Sequence, residues 1–81
     1  MNVVYAKRAI KVLEKLDRAT KQRIKQGVDG IPKGDIKRLY GQSGTNMYRL
    51  RVGDWRIVFT YPAEGDVLIE KIAPRGEAYK E

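Results

Sequence analysis

Residues 48–59 read Tyr-Arg-Leu-Arg-Val-Gly-Asp-Trp-Arg-Ile-Val-Phe, two strictly alternating runs separated by Gly53-Asp54. Alternation at period two is the mark of a half-buried strand, and glycine at the first of two loop residues suits a type II′ hairpin turn. With a two-residue turn the register follows directly. Val52 faces Trp55, Arg51 faces Arg56, Leu50 faces Ile57, Arg49 faces Val58 and Tyr48 faces Phe59. One face of the hairpin then carries Tyr48, Leu50, Val52, Trp55, Ile57 and Phe59 and must be buried. The other carries Arg49, Arg51 and Arg56, with Val58 among them.

The rest of the chain has to cover that apolar face. Asn2–Tyr5 reads as a short strand, after which the period changes. Ala6, Ala9, Ile10, Leu13 and Leu16 recur at helical spacing, with Lys7, Arg8, Lys11, Glu14 and Lys15 between them. Asp17-Arg18 interrupts this helix. A second helical pattern runs through Ile24, Val28 and Ile31, weakened by Gly27 and Gly30 and stopped by Pro32. Strands are expected at Ile36–Tyr40, Met47–Val52, Trp55–Tyr61 and Val67–Ala73. The expected fold is α+β: a short N-terminal strand and a helical hairpin packed on one face of a mainly antiparallel four- to five-stranded sheet. Its opposite face is left free to be polar. With 81 residues and no repeat or linker, residues 1–81 read as one domain.

The chain has no cysteine and no histidine, which excludes disulfides, cysteine-based zinc sites and histidine acid–base chemistry. The N-terminus lacks the pattern of a signal peptide, and no stretch approaches the length of a membrane span. These features lead us to expect a cytoplasmic protein without membrane association. The net charge of +7 is uneven: residues 1–30 carry eight basic and three acidic side chains, residues 31–60 six and two, and residues 61–81 three and five. Such a field suits nucleic acid, an anionic membrane or an acidic protein, and equally a solvated lysine-rich helix surface.

The arginines narrow the choice. Like charges directly opposite on a sheet destabilise it, so Arg51 facing Arg56 beside Arg49 is a poor arrangement for stability alone. A polyanion converts that repulsion into attraction, because guanidinium forks bind phosphate with paired hydrogen bonds. The neutral alternative is a solvated face whose arginines pair with carboxylates such as Glu70. Arg75, after Pro74 has held the chain extended, and Tyr79 four residues on can join the same face. Trp55, Phe59, Tyr48 and Leu39 read as core, and Tyr5 and Tyr61 as packing or edge residues. Without an aromatic platform for stacking bases, a non-catalytic RNA-binding module is the weaker reading.

The run Tyr48–Phe59, preceded by the strand, the helical hairpin and Leu39-Tyr40-Gly41 and followed by Arg75 and Tyr79, resembles the RelE toxins of the RelE/ParE toxin–antitoxin superfamily. The resemblance implies a ribosome-dependent endoribonuclease that cuts mRNA in the ribosomal A site, with no metal or other cofactor. It further implies attack of a 2′-hydroxyl on the adjacent phosphate and neutralisation by an antitoxin protein. Arg49, Arg51, Arg56, Arg75 and Tyr79 match the family's catalytic positions. Arg56 would stabilise the phosphorane charge, Arg75 would neutralise or protonate the leaving oxygen, and Tyr79 would orient the attacking nucleotide. Arg49 and Arg51 would position the phosphate. Lys37 and Arg38 are expected to bind RNA, and the helix lysines would favour contact with rRNA phosphates. At the positions of Arg49 and Arg51 the family often has lysine, which can act as a base; arginine does not readily do so. A ParE-like inhibitor of DNA gyrase shares the fold and a similar hairpin but lacks the terminal arginine and tyrosine.

Overall fold

In the computed structural model, residues 1–39 and 46–74 are described. The elements are β1 (Asn2–Tyr5), α1 (Lys7–Glu14), α2 (Arg18–Asp29), β2 (Asp35–Leu39), β3 (Met47–Val52), β4 (Trp55–Thr60) and β5 (Asp66–Pro74). This is the expected α+β arrangement with all five strands in one sheet, ordered β1-β5-β4-β3-β2. The chain begins at one edge, crosses to the other through the two helices, and returns strand by strand. The antiparallel meander β2-β3-β4-β5 ends beside β1, and β1–β5 is the single parallel pairing. Tyr40, expected as the last residue of the second strand, lies outside the described residues.

Each helix begins and ends for local reasons. Both start after a residue with extended backbone, Ala6 for α1 and Asp17 for α2. Asp17 caps α2: its carboxylate accepts from the Thr20 amide at 3.1 Å and from the Thr20 hydroxyl at 2.6 Å. These bonds favour the ionised form and hold the Asp17 carboxyl below its ordinary value. The residue that breaks the first helical pattern is thus the one that starts the second. Helix α1 stops at Glu14, two residues before the periodic pattern ends, and α2 stops at Asp29 before Gly30. Ile10 counts in the apolar stripe of the sequence, yet it is 41% exposed, while Ala9 and Leu13 on the same helix are buried.

The core lies between the helices and one face of the sheet. Ala9, Leu13, Ile24 and Val28 meet Leu50, Ile57, Phe59, Val67, Ile69 and Ile72, with Tyr48, Val52 and Trp55 packed at the margin. Gly27 has a packing role there. A Cβ at Gly27 would stand 2.7 Å from Cγ2 of Val52, so the missing side chain is what lets α2 settle onto β3. Among the described residues no helix is long and apolar enough to cross a membrane.

Candidate functional site

The β3–β4 pairing has the register read from the alternation: Tyr48↔Phe59, Arg49↔Val58, Leu50↔Ile57, Arg51↔Arg56 and Val52↔Trp55. Gly53 takes φ +57°, the positive value that the first loop position of a primed turn needs. In a two-residue hairpin the pair beside the turn is hydrogen-bonded and the next is not. Arg51 and Arg56 therefore form the close kind of pair, with Cα atoms about 4.5 Å apart.

The neighbouring strands extend the open face. Asp35 faces Arg51 and Lys37 faces Arg49 across β2–β3, while Ala73 faces Arg56 and Lys71 faces Val58 across β4–β5. Lys37, Arg49, Arg51, Arg56 and Lys71 thus occupy one face of four adjacent strands. Arg38 is in register with Tyr48, on the other face, and its guanidinium donates to Asn46 Oδ1. The structure therefore brings Lys37 to the arginines but does not bring Arg38. Arg75 and Tyr79 lie outside the described residues.

This face is not a uniformly solvated one. Arg51 is exposed, but Arg49 and Arg56 are only 7% and 3% exposed, and Val58 and Ala73 beside them form a small second apolar cluster with Leu39 and Met47. Leu39, which reads as core in the sequence, packs against this open-face cluster rather than the one beneath the helices. Arg49 Nη1 stands 3.5 Å from Asp35 Oδ1 and donates to the Asp35 carbonyl at 3.4 Å. Its Nε is buried and has no acceptor among the described residues. A buried guanidinium donor of this kind is costly until an anion accepts from it.

Glu70 does not neutralise the arginines. The β4–β5 register shifts between Val58 and Phe59, so Val58 pairs with Lys71 and Phe59 with Ile69, leaving Glu70 as the extra residue. Glu70 pairs instead with Arg8 of α1, at 3.5 Å, and its carbonyl accepts from Arg8 Nε at 2.7 Å. The same bulge buries both Ile69 and Ile72 and turns Lys71 to the arginine face. Uniform alternation along β5 carries no sign of this, which is why Lys71 escaped the sequence reading.

Among the described residues, Tyr48, Phe59 and Tyr61 pack together away from the open face. Phe59 is fully buried, and Tyr48 stacks on it at 5.6 Å between ring centroids. Tyr61 meets both edge-on, at 5.3 and 5.5 Å, and burial, with Tyr48 beside it, pushes its hydroxyl pKa up. Among the described residues, the open face thus offers guanidinium and ammonium groups with hydrophobic packing between them.

Solved structures share this architecture. The chain superposes on one from the archaeal RelE–RelB complex of Pyrococcus horikoshii OT3 with a TM-score of 0.76 and 28% identity, covering 94% of this chain and 96% of that one. For the RelB–RelE antitoxin–toxin complex of Methanococcus jannaschii the values are 0.73 and 24%, covering 94% of each chain. For the intact Escherichia coli RelBE toxin–antitoxin complex they are 0.62 and 19%, covering 94% and 96%. The two less similar comparisons speak to the fold alone. A search of curated protein sequences gives no significant match. The profile of the family described as "ParE toxin of type II toxin-antitoxin system, parDE" matches residues 3–79. With that profile spanning nearly the whole chain and the fold and hairpin in agreement, the chain belongs to this toxin family of type II toxin–antitoxin systems, within the RelE/ParE superfamily.

Proposed function

We propose that this toxin is a ribosome-dependent endoribonuclease of the RelE type, acting on mRNA in the ribosomal A site. The observation that carries the reading is the placement of Arg49, Arg51 and Arg56 on one face of a tight hairpin, with two of the three buried. Direct opposition of Arg51 and Arg56 costs a few tenths of a kcal/mol or more, and the buried Arg49 Nε, with no acceptor among the described residues, adds to that cost. A phosphate held between them reverses the sign of both. The 28% identity to the Pyrococcus horikoshii RelE–RelB complex supports the same reading.

In this scheme the 2′-hydroxyl before the cut attacks the adjacent phosphate and the 5′-oxygen leaves, giving a cyclic phosphate end without a metal. Arg56 stabilises the charge that grows on the phosphorane, and Arg49 and Arg51 hold the phosphate. Lys37, in register with Arg49 on this face, contacts the RNA backbone, and Arg38, on the opposite face, does not take part in the grip. Donors preorganised toward developing charge are commonly the largest catalytic contribution, about 10²–10³-fold for one donor. Arg75 at the leaving oxygen and Tyr79 at the attacking nucleotide are assigned by resemblance. The partner is an antitoxin protein, as in the complexes to which the fold is similar. The compartment is the cytoplasm, where ribosomes and rRNA phosphates are available to the basic helices.

The family profile carries the ParE description, and that favours one competing reading, inhibition of DNA gyrase by binding. The two are separated by incubating the purified protein with translating ribosomes and mapping mRNA 5′ ends. Cleavage that disappears in Arg56→Ala and Arg75→Ala supports the nuclease. Intact mRNA together with inhibited supercoiling by gyrase supports the ParE-like reading. Binding of RNA without either effect leaves a non-catalytic module.

A further inference from the structure

Resting on the nuclease reading, we infer that Asp35 is the general base that takes the proton from the attacking 2′-hydroxyl. The arginines cannot fill this role readily, since guanidinium groups keep their protons, and the chain has no histidine. Asp35 is the only acidic residue in strands β2, β3 and β4. The sheet register places it opposite Arg51, on the open face, and its carboxylate stands 3.5 Å from Arg49 Nη1.

Two features argue for chemistry rather than for pairing alone. The Asp35 side chain is 60% exposed although its partner guanidinium is buried, so most of the carboxylate remains available beyond the Arg49 contact. An ionised carboxylate has about four lone-pair sites, of which the contact to Arg49 uses one. A phosphate gripped by Arg49 and Arg51 is then adjacent to a proton acceptor on the same strand pair. In the step proposed, the 2′-O–H proton passes to an Asp35 oxygen and the 2′-oxygen forms a bond to phosphorus. The bond from phosphorus to the 5′-oxygen breaks, its electron pair stays on that oxygen, and water supplies the proton. The products are a 2′,3′-cyclic phosphate and a 5′-hydroxyl, with no oxidant or metal consumed. Sequence spacing alone did not single out Asp35, because it lies fourteen residues before Arg49 on a separate strand.

The test uses the full-length protein on mRNA-programmed ribosomes, with single-turnover cleavage and binding read separately. Binding is measured with a message carrying one 2′-deoxynucleotide at the cut site, which cannot be cleaved by this route. Asp35→Asn keeps the size of the side chain and an oxygen that accepts from Arg49, but removes the base. It should slow cleavage by about 10²–10⁴-fold while binding the deoxy message within threefold of wild type. Asp35→Glu, which restores a carboxylate, should cleave at least tenfold faster than Asp35→Asn. Cleavage by Asp35→Asn within threefold of wild type overturns the assignment and leaves the nuclease reading standing, as does a loss of binding equal to the loss of rate. Wild-type protein that binds ribosomes and cuts no message overturns both.

Discussion

Replacing Gly27 with alanine isolates the contact that sets the distance between the helices and the sheet. On an isolated helix this change is favourable by about 0.8–1 kcal/mol, because glycine is the poorer helix former. Here the added Cβ falls 2.7 Å from Val52 Cγ2, a separation real Cβ atoms almost never show, and 3.6 Å from Leu50 Cδ2. Valine is short and stiff at χ1, so the strain passes to the packing of α2 on β3, where inserting one carbon costs about 1–3 kcal/mol. The net expectation is a loss of about 0–2 kcal/mol, lowering Tm by several degrees for a chain of this length. Shortening Val52 removes the obstacle, because its Cβ lies at 4.0 Å from the added carbon, an ordinary contact. In a Val52→Ala background, Gly27→Ala should therefore stabilise by about 0.5–1 kcal/mol, its helix-propensity gain. A double-mutant cycle followed by urea unfolding reads the coupling, expected at about 1–3 kcal/mol. Equal stabilisation by Gly27→Ala in both backgrounds would refute the close-approach argument.

Other outcomes follow from the same geometry. Asp17→Ala should lower Tm near neutral pH through loss of the α2 cap. The folded protein holds the Asp17 carboxyl below its ordinary value, so this contribution is present above the carboxylate range and is lost as pH falls through it. The gap between wild type and Asp17→Ala, read by thermal melts across pH, should accordingly close on acidification, while Asp17→Asn retains a cap. Ile57→Ala removes a fully buried side chain at the centre of the core and should cost about 2–5 kcal/mol, measured by urea unfolding. Arg51→Ala should leave stability unchanged or raise it by a few tenths of a kcal/mol, since it relieves the opposition to Arg56. The same variant should cut ribosome-dependent cleavage by about 10²-fold, read in single-turnover assays.

How much of this was legible in the sequence depended on the length over which the governing interaction acts. The Tyr48–Phe59 register needed only the alternation and a two-residue turn, both local. Among the described residues every strand boundary lies within one residue of its expected place, and Tyr40, expected to end the second strand, lies outside them. The helical hairpin was marked by period 3.6 and by Asp17, although α1 proved shorter than its pattern and Ile10 lies at its exposed edge. What was hidden depended on neighbours distant in the chain. The bulge opposite Val58 and Phe59 is a property of two strands together, and it sent Glu70 to Arg8 and Lys71 to the arginine face. Gly27 looked like a weakness of the helix until Val52 was placed against it. Leu39 was assigned to a core, but only the sheet order shows that it belongs to the open-face cluster with Val58. For the site, the three hairpin arginines were evident from their spacing, whereas the approach of Asp35 required β2 to be laid beside β3.

The most direct test of the central claim, that the basic face of this sheet cuts RNA through its own 2′-hydroxyl, is a paired cleavage measurement. Two mRNAs are placed on ribosomes, identical except for one 2′-deoxynucleotide immediately before the cut. The ribose message should be cut there to a fragment ending in a 2′,3′-cyclic phosphate, and the deoxy message should remain intact at that position. Cleavage of both messages at the same site, or of neither while gyrase supercoiling is inhibited, would contradict the account.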